Sequence, residues 1–237
     1  MISQRPGMLV FYDFEKDSQN GGESTLVNRV PNAPAGTNGS IEGCTWATGR
    51  WFGKGALQFG RDQSVRLTLP GSYSALTLVA FVKVGDTPYP ENSLLRAEEE
   101  RQMGGVQWYI SKQGALTWSA RTAPRGAASQ WLRIFSAPVI RDATLSSWHM
   151  VATVYDGATI THYLDGKIIG TRSVGVPAEI SLEHLVLGNG HSTLVAKLPG
   201  EEETNFSGRI DELAILSVPL SPEDLQHWCQ QGLPSAE

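Results

Sequence analysis

Basic residues are few and scattered: 19 Lys and Arg stand against 24 Asp and Glu in 237 residues, a formal net charge of −5, and no run of them forms a basic stripe. A nucleic-acid partner, which requires several phosphates to be neutralised along one surface, is therefore not expected. Long hydrophobic runs are also missing. The longest, Leu76–Val84, falls far short of the roughly 20 residues a bilayer-spanning helix needs, so this chain is not expected to insert into a membrane. Near the N-terminus the apolar run Met8–Tyr12 passes straight into Asp13, too short for a secretory signal; the chain is expected to stay inside or to be part of something longer. There are two cysteines, Cys44 and Cys229, and neither has a CxxC neighbour, so a zinc or thiol-redox motif is unsupported. One pairing is possible, and a disulfide and two separate thiols both stay open because sequence does not supply the Cα separation.

Catalytic signatures are equally scarce. No Gly-x-Ser-x-Gly elbow, His-Glu-x-x-His or P-loop occurs. A retaining glycosidase strand of the form E-x-D-x-x-E sets two acids on one face about 5 Å apart. Here Glu15-Lys16-Asp17 is followed by Asn20, and Arg209-Ile210-Asp211-Glu212 has arginine in the nucleophile's place. His149, His162, His184, His191 and His227 lack metal-ligand spacing and read as structural residues.

What is present is a β-rich pattern. The 25 glycines and 13 prolines are spread along the chain, as expected for many short strands joined by turns. Trp148–Tyr155, Thr159–Leu164 and Lys167–Ser173 are separated by Asp156-Gly157-Ala158 and Asp165-Gly166; Asp-Gly between apolar segments marks a tight hairpin turn, so these three runs form a meander. Both faces of Trp148–Tyr155 are apolar, which places that strand inside a sheet. Further strands are expected at Leu9–Phe14, Ala56–Phe59, Ser64–Leu69, Thr77–Val84, Val106–Ser111, Ala115–Ala120, Trp131–Phe135, His184–Leu187 and Arg209–Ser217. Asn20–Gly55 and Ala97–Gly105 read as irregular, the latter a solvated acidic loop. Ser221-Pro222-Glu223-Asp224 supplies an N-cap, a first-turn proline and acidic residues, and predicts a helix over Pro222–Gln231. The fold class is all-β: a two-sheet antiparallel jelly-roll sandwich with a short C-terminal helix. It forms one domain over 1–237 with a core over about 8–232.

Four segments, in order, resemble laminin-G-like domains of the concanavalin A-like class. They are Gly53-Lys54-Gly55-Ala56-Leu57-Gln58-Phe59, Leu76–Lys83 with Phe81 where the family has tryptophan, Trp148-His149 with Tyr155-Asp156-Gly157 and Tyr163-Leu164-Asp165-Gly166, and Phe206–Leu213 followed by Leu220-Ser221-Pro222-Glu223. Trp46, Gly49-Arg50 and Leu69-Pro70-Gly71 make the chain look most like copies fused behind FecR-type regulators of planctomycete-like bacteria. The resemblance implies an extracytoplasmic (periplasmic or cell-surface) sensing or adhesion role, with a glycan or an extracytoplasmic protein as partner. It also implies a structural calcium ion between the opening strand and the closing one. The matching positions are Glu15 and Asp211, with Asn28 where the family has aspartate.

Asp211 poses a physical problem of its own. It shares parity with Leu213 and Ile215, so a regular strand would turn an unpaired carboxylate inward at a cost of several kcal/mol. Calcium is one solution; a β-bulge or an arginine is the other. Of seven tryptophans, Trp108, Trp118 and Trp131 are candidate sugar-stacking planes, the alternative being core packing. Trp46, Trp51 and Trp148 match structural positions of the family, and Trp228 reads as helix packing. The expected function is a noncatalytic binding module. The alternatives are a glycoside hydrolase or lyase of the same class and a purely structural interaction domain of an envelope protein.

Overall fold

The turns named above close as their residues dictate: Asp165 and Gly166 both take positive φ (50° and 75°), and Gly157 takes φ 92°. Asp156 completes the other turn by accepting from the Ala158 and Thr159 amides at 2.8 and 2.6 Å. The computed structural model describes residues 2–16, 22–98, 106–121, 131–174, 177, 179–188 and 204–233. In chain order the strands are β1 (Met8–Tyr12), β2 (Thr25–Leu26), β3 (Gly39–Glu42), β4 (Thr45–Thr48), β5 (Gly55–Phe59), β6 (Ser64–Thr68), β7 (Ser72–Tyr73), β8 (Leu76–Asp86) and β9 (Glu91–Glu98). There follow β10 (Gln107–Ser111), β11 (Ala115–Arg121), β12 (Trp131–Pro138), β13 (Trp148–Tyr155), β14 (Thr159–Leu164), β15 (Lys167–Ser173), β16 (Ile180–Ser181), β17 (His184–Leu187) and β18 (Ser207–Leu216). One helix, α1 (Pro222–Gly232), closes the fold.

Two eight-stranded antiparallel sheets form a sandwich. The first runs β15-β14-β13-β8-β18-β5-β4, with β1 also paired to β18; the second runs β12-β11-β10-β9-β17-β6-β3-β2. Their facing sides enclose one core, with Tyr12, Leu57, Val82, Trp108, Trp118 and Leu213 among its members. A second apolar layer covers the other side of the first sheet. There Leu225, Trp228 and Cys229 of α1 meet Phe11, Phe81, Met150 and Ala152. This second layer is why Leu76–Val82 of β8 is buried without interruption and why β13 is apolar on both faces. The helix starts as expected, with Ser221 Oγ accepting from Asp224 N at 3.1 Å, and it buries positions 225, 228, 229 and 232, an i, i+3, i+4, i+7 stripe.

Within the stretch read as irregular lie β2, β3 and β4, all short, while β9 reaches through Ala97 to Glu98; residues 99–105 lie outside the described set. The two cysteines are free, Cys44 at the margin of the intersheet core and Cys229 in the layer under the helix. Among the described residues no helix is long and apolar enough to cross a membrane.

Candidate functional site

Trp108 and Trp118 do not serve as sugar platforms: both are fully buried, because their positions on β10 and β11 fall on the side facing the first sheet. The side chain of Trp131 lies outside the described set. Trp108 instead begins a polar chain between the sheets. Its indole N–H donates to Thr153 Oγ1 at 2.9 Å, the Thr153 hydroxyl lies 2.8 Å from His162 Nδ1, and His162 Nε2 lies 3.4 Å from the Ile134 carbonyl. Hydrogen-bond logic assigns the order: the threonine donates to Nδ1, so neutral His162 carries its proton on Nε2 and donates to Ile134. Burial lowers the His162 pKa to about 4. Trp118 stacks on Tyr155 with ring centroids 5.9 Å apart.

The Asp211 problem is solved by a bulge and by two cations. Between Ile210 and Leu213 the register of β18 against β8 shifts, and Glu212 takes φ 79°. Ile210 and Leu213 both enter the intersheet core, so the two acids between them leave the alternation that would have turned Asp211 inward. The bulge falls where the neighbour of β18 changes from β1, paired at Leu213–Leu216, to β5, paired at Gly208–Ile210. Asp211 Oδ2 accepts from the Arg50 amide and from Arg50 Nε, both at 3.0 Å. Lys54 Nζ meets Asp211 Oδ1 at 2.9 Å, an ion contact outside hydrogen-bonding angles. The remaining Arg50 nitrogens donate to Glu212 Oε2 and to the Gly232 carbonyl at the end of α1, each at 2.6 Å. Trp228 Nε1 donates to the other Glu212 oxygen at 2.7 Å. Both Arg50 and Asp211 have fully buried side chains. Gly49 is required here, since a Cβ at that position would stand 2.6 Å from Asp211 Oδ2.

The calcium expectation can be tested against this geometry. Glu15 Oε1, 3.2 Å away, Asp211 Oδ1 and the Asp13 carbonyl converge on one point, and the Lys54 ammonium occupies it. Asn28, the third expected ligand, is elsewhere and fully committed. Its Oδ1 accepts from Phe11 N and Val30 N, and its Nδ2 donates to the Leu9 carbonyl and Thr37 Oγ1, all between 3.0 and 3.2 Å. Calcium takes six to eight oxygens, and two cationic side chains already neutralise those present. The residues do not fit a divalent ion, and among the described residues no group of three His, Cys, Asp or Glu could hold a metal.

Surface features that sequence reasoning passed over lie directly above this network. Trp51, assigned a structural place, is 45% exposed, and Phe52 is fully exposed. Their loop is rigid at its base: the Gly49 amide donates to the Lys54 carbonyl at 2.7 Å, Lys54 N donates to the Trp51 carbonyl at 3.1 Å, and the Arg50 guanidinium lies 4.8 Å from the Trp51 ring centroid. A shallow groove of about 530 Å³ runs along the outer side of the first sheet, lined by Thr159, Thr161, Tyr163, Ile168 and Leu220 among others. The outer side of the second sheet is polar, carrying Arg66, Arg96, Gln107 and Arg133, with Phe135 55% exposed beside Arg133. On the same side the Tyr109 hydroxyl is raised in pKa, first by burial and then by Glu91.

Solved structures share this architecture. The binding domain of Paraclostridial Mosquitocidal Protein 1 superposes with a TM-score of 0.68 at 13% identity, over 95% of this chain and 52% of that one. The botulinum neurotoxin serotype D ligand-binding domain in complex with N-acetylneuraminic acid gives 0.65 at 14% identity over 95% and 51%. The botulinum neurotoxin DC binding domain in complex with rat synaptotagmin II gives 0.64 at 13% over 95% and 51%. The chain thus spans about half the length of each, and the likeness is one of fold. No curated protein matches the sequence. The Laminin_G_3 family of the concanavalin A-like lectin/glucanases superfamily matches residues 54–226, the greater part of the chain, and this protein belongs to that family.

Proposed function

We propose that this chain is a noncatalytic binding module that recognises a carbohydrate or an extracytoplasmic protein, within the kind of sensing or adhesion system that the FecR-linked resemblance implies. The observation that carries the reading is the fate of the buried acids. Asp211 and Glu212 are the buried carboxylates among the described residues, and Arg50, Lys54 and the Trp228 indole consume them. A glycosidase of this fold needs an acid pair facing substrate across about 5 to 9 Å. Among the described residues, an exposed aromatic loop and an arginine-bearing sheet face offer side chains to a ligand. The Trp51–Phe52 loop favours a second reading, docking to a protein as a structural interaction domain, since Phe52 offers apolar area and no hydrogen-bonding group.

A panel of immobilised neutral and acidic glycans, probed with and without a chelator while reducing-sugar release is followed, tests the proposal. Saturable binding that ignores the chelator, without sugar release, is the expected result. Release of sugar that disappears when one carboxylate is changed to its amide would overturn it.

A further inference from the structure

Strand register lines up basic side chains that are far apart in sequence. Arg66 of β6 pairs with Val186 of β17, Val186 with Arg96 of β9, Arg96 with Gln107 of β10, Gln107 with Ser119 of β11, and Ser119 with Arg133 of β12. These six residues form one straight rung across six strands of the second sheet. Their chain neighbours Val65, Leu67, Leu185, Leu187, Leu95, Ala97, Trp108, Trp118, Leu132 and Ile134 all belong to the intersheet core, so by alternation the rung faces away from the first sheet. With strands about 4.8 Å apart, Arg66 and Arg96 are about 10 Å apart along the rung, and Arg96 and Arg133 about 14 Å.

The rung carries three arginines and no acid, in a chain of net charge −5. Two acids stand near it: Glu42 of β3, two residues along from Ser40, the partner of Arg66, bonds Arg66 Nε at 2.9 Å, and Glu91 of β9 lies against Tyr109 on the same face. Ser119 and Val186 are buried, so arginine and amide groups dominate the rung's accessible chemistry. Ser119 Oγ holds Gln107 Oε1 at 3.1 Å, and at the β12 end the Arg133 guanidinium stands 5.9 Å from the half-exposed Phe135 ring. Guanidinium groups bind carboxylates through paired N–H donors, and an aromatic plane beside them suits the apolar face of a sugar ring.

The geometry points to the outer face of the second sheet as a track for an extended acidic polysaccharide. Its sugar carboxylates would meet Arg66, Arg96 and Arg133 in turn, and the end of the chain would stack on Phe135. This assignment rests on the binding-module reading and names its ligand class. Duplex DNA would need more phosphates neutralised than this rung can supply, and single strands need a series of aromatic platforms, whereas among the described residues Phe135 is the half-exposed ring on this face.

The test uses the whole chain with polygalacturonate as the probe, neutral dextran, polyglutamate and oligothymidylate as comparisons, and Arg133→Glu and Arg96→Gln/Arg133→Gln as variants checked for unchanged circular dichroism and Tm. Arg133 is exposed, so its variant keeps the test open if the double variant unfolds. Binding to polygalacturonate that weakens with salt, is absent for dextran and falls at least about tenfold in either variant is expected. Tight binding retained by Arg133→Glu, or equal competition by polyglutamate or oligothymidylate, overturns the assignment. Recognition of a neutral glycan alone sinks the track while leaving the binding module intact. Depolymerisation of the polyuronate would do the reverse, keeping the track and ending the noncatalytic reading.

Discussion

His162 is held neutral between the sheets, so acid charges it only by breaking the chain Trp108–Thr153–His162–Ile134. Its pKa falls from an ordinary 6.5 to about 4 on folding because burial disfavours the imidazolium. A depressed folded pKa means that below pH 6.5 the unfolded chain binds the proton first. The histidine's contribution to stability is therefore complete above pH 6.5, declines as pH falls, and is gone below pH 4. At about 1.4 kcal/mol per pKa unit the loss amounts to about 3 kcal/mol. His149 works in the opposite sense. Its hydrogen bond to Asp165 Oδ2 at 2.7 Å raises its pKa, so the stability it adds is present at low pH and is lost as pH rises through the raised value. The assay that isolates His162 compares urea unfolding of the natural chain with that of His162→Gln, whose amide can accept from Thr153 and donate to Ile134 without titrating. Subtracting the two stability curves cancels His149 and every carboxylate. The difference should favour the natural chain least at pH 4 and change by about 3 kcal/mol between pH 4 and 7. A flat difference curve, or one that rises toward acid, refutes the assignment of His162 as a neutral intersheet link.

Arg50→Met keeps much of the arginine's volume but leaves Glu212 with the Trp228 indole and without its cation, and leaves Asp211 with Lys54 and a backbone amide, and should cost about 3 to 5 kcal/mol in urea unfolding; a loss below about 1 kcal/mol would contradict the network. Lys54 occupies the point where Asp13, Glu15 and Asp211 converge, so neither a chelator nor millimolar calcium should move the Tm, and a calcium-dependent rise would show that the ammonium yields its place. Phe52→Ser should leave stability within about 0.5 kcal/mol, because Phe52 is fully exposed; a protein partner docked on that loop should lose affinity in the same variant by surface plasmon resonance.

Elements whose shape is set by local chemistry were legible. The meander β13–β15 has the bounds that its Asp-Gly turns and alternation predict, and β17 and the start of α1 also fall where expected. Pairing decided the rest. The edge strands β2 and β4 and the short β3 carry polar and glycine residues, which read as loop until a neighbour supplies the ladder. Strand β9 was hidden for a different reason. Adjacent Leu94 and Leu95 both point into the core because the register against β10 slips there, and such a slip erases the two-residue period on which recognition depends.

The candidate sites follow the same logic. Alternation correctly marked Asp211 as an acid that a regular strand could not accommodate, and a bulge or an arginine was among the possible answers. That the answer includes both, with Lys54 added, depends on the meeting of β1 and β5 end to end beside β18, a fact of topology. The tryptophans went the other way, because an indole on a strand has the same signature whether its face is open or closed, and only the first sheet, packed over β10 and β11, shows that Trp108 and Trp118 look inward. The arginine rung lies further still from sequence. Residues 66, 96 and 133 share no motif and no spacing; five hydrogen-bonded registers of the second sheet, from β6 through β17, β9, β10 and β11 to β12, bring them into line, and a one-residue slip in any of them would turn an arginine toward the core. A ligand that needs charge repeated along its length can therefore be recognised only by the assembled sheet.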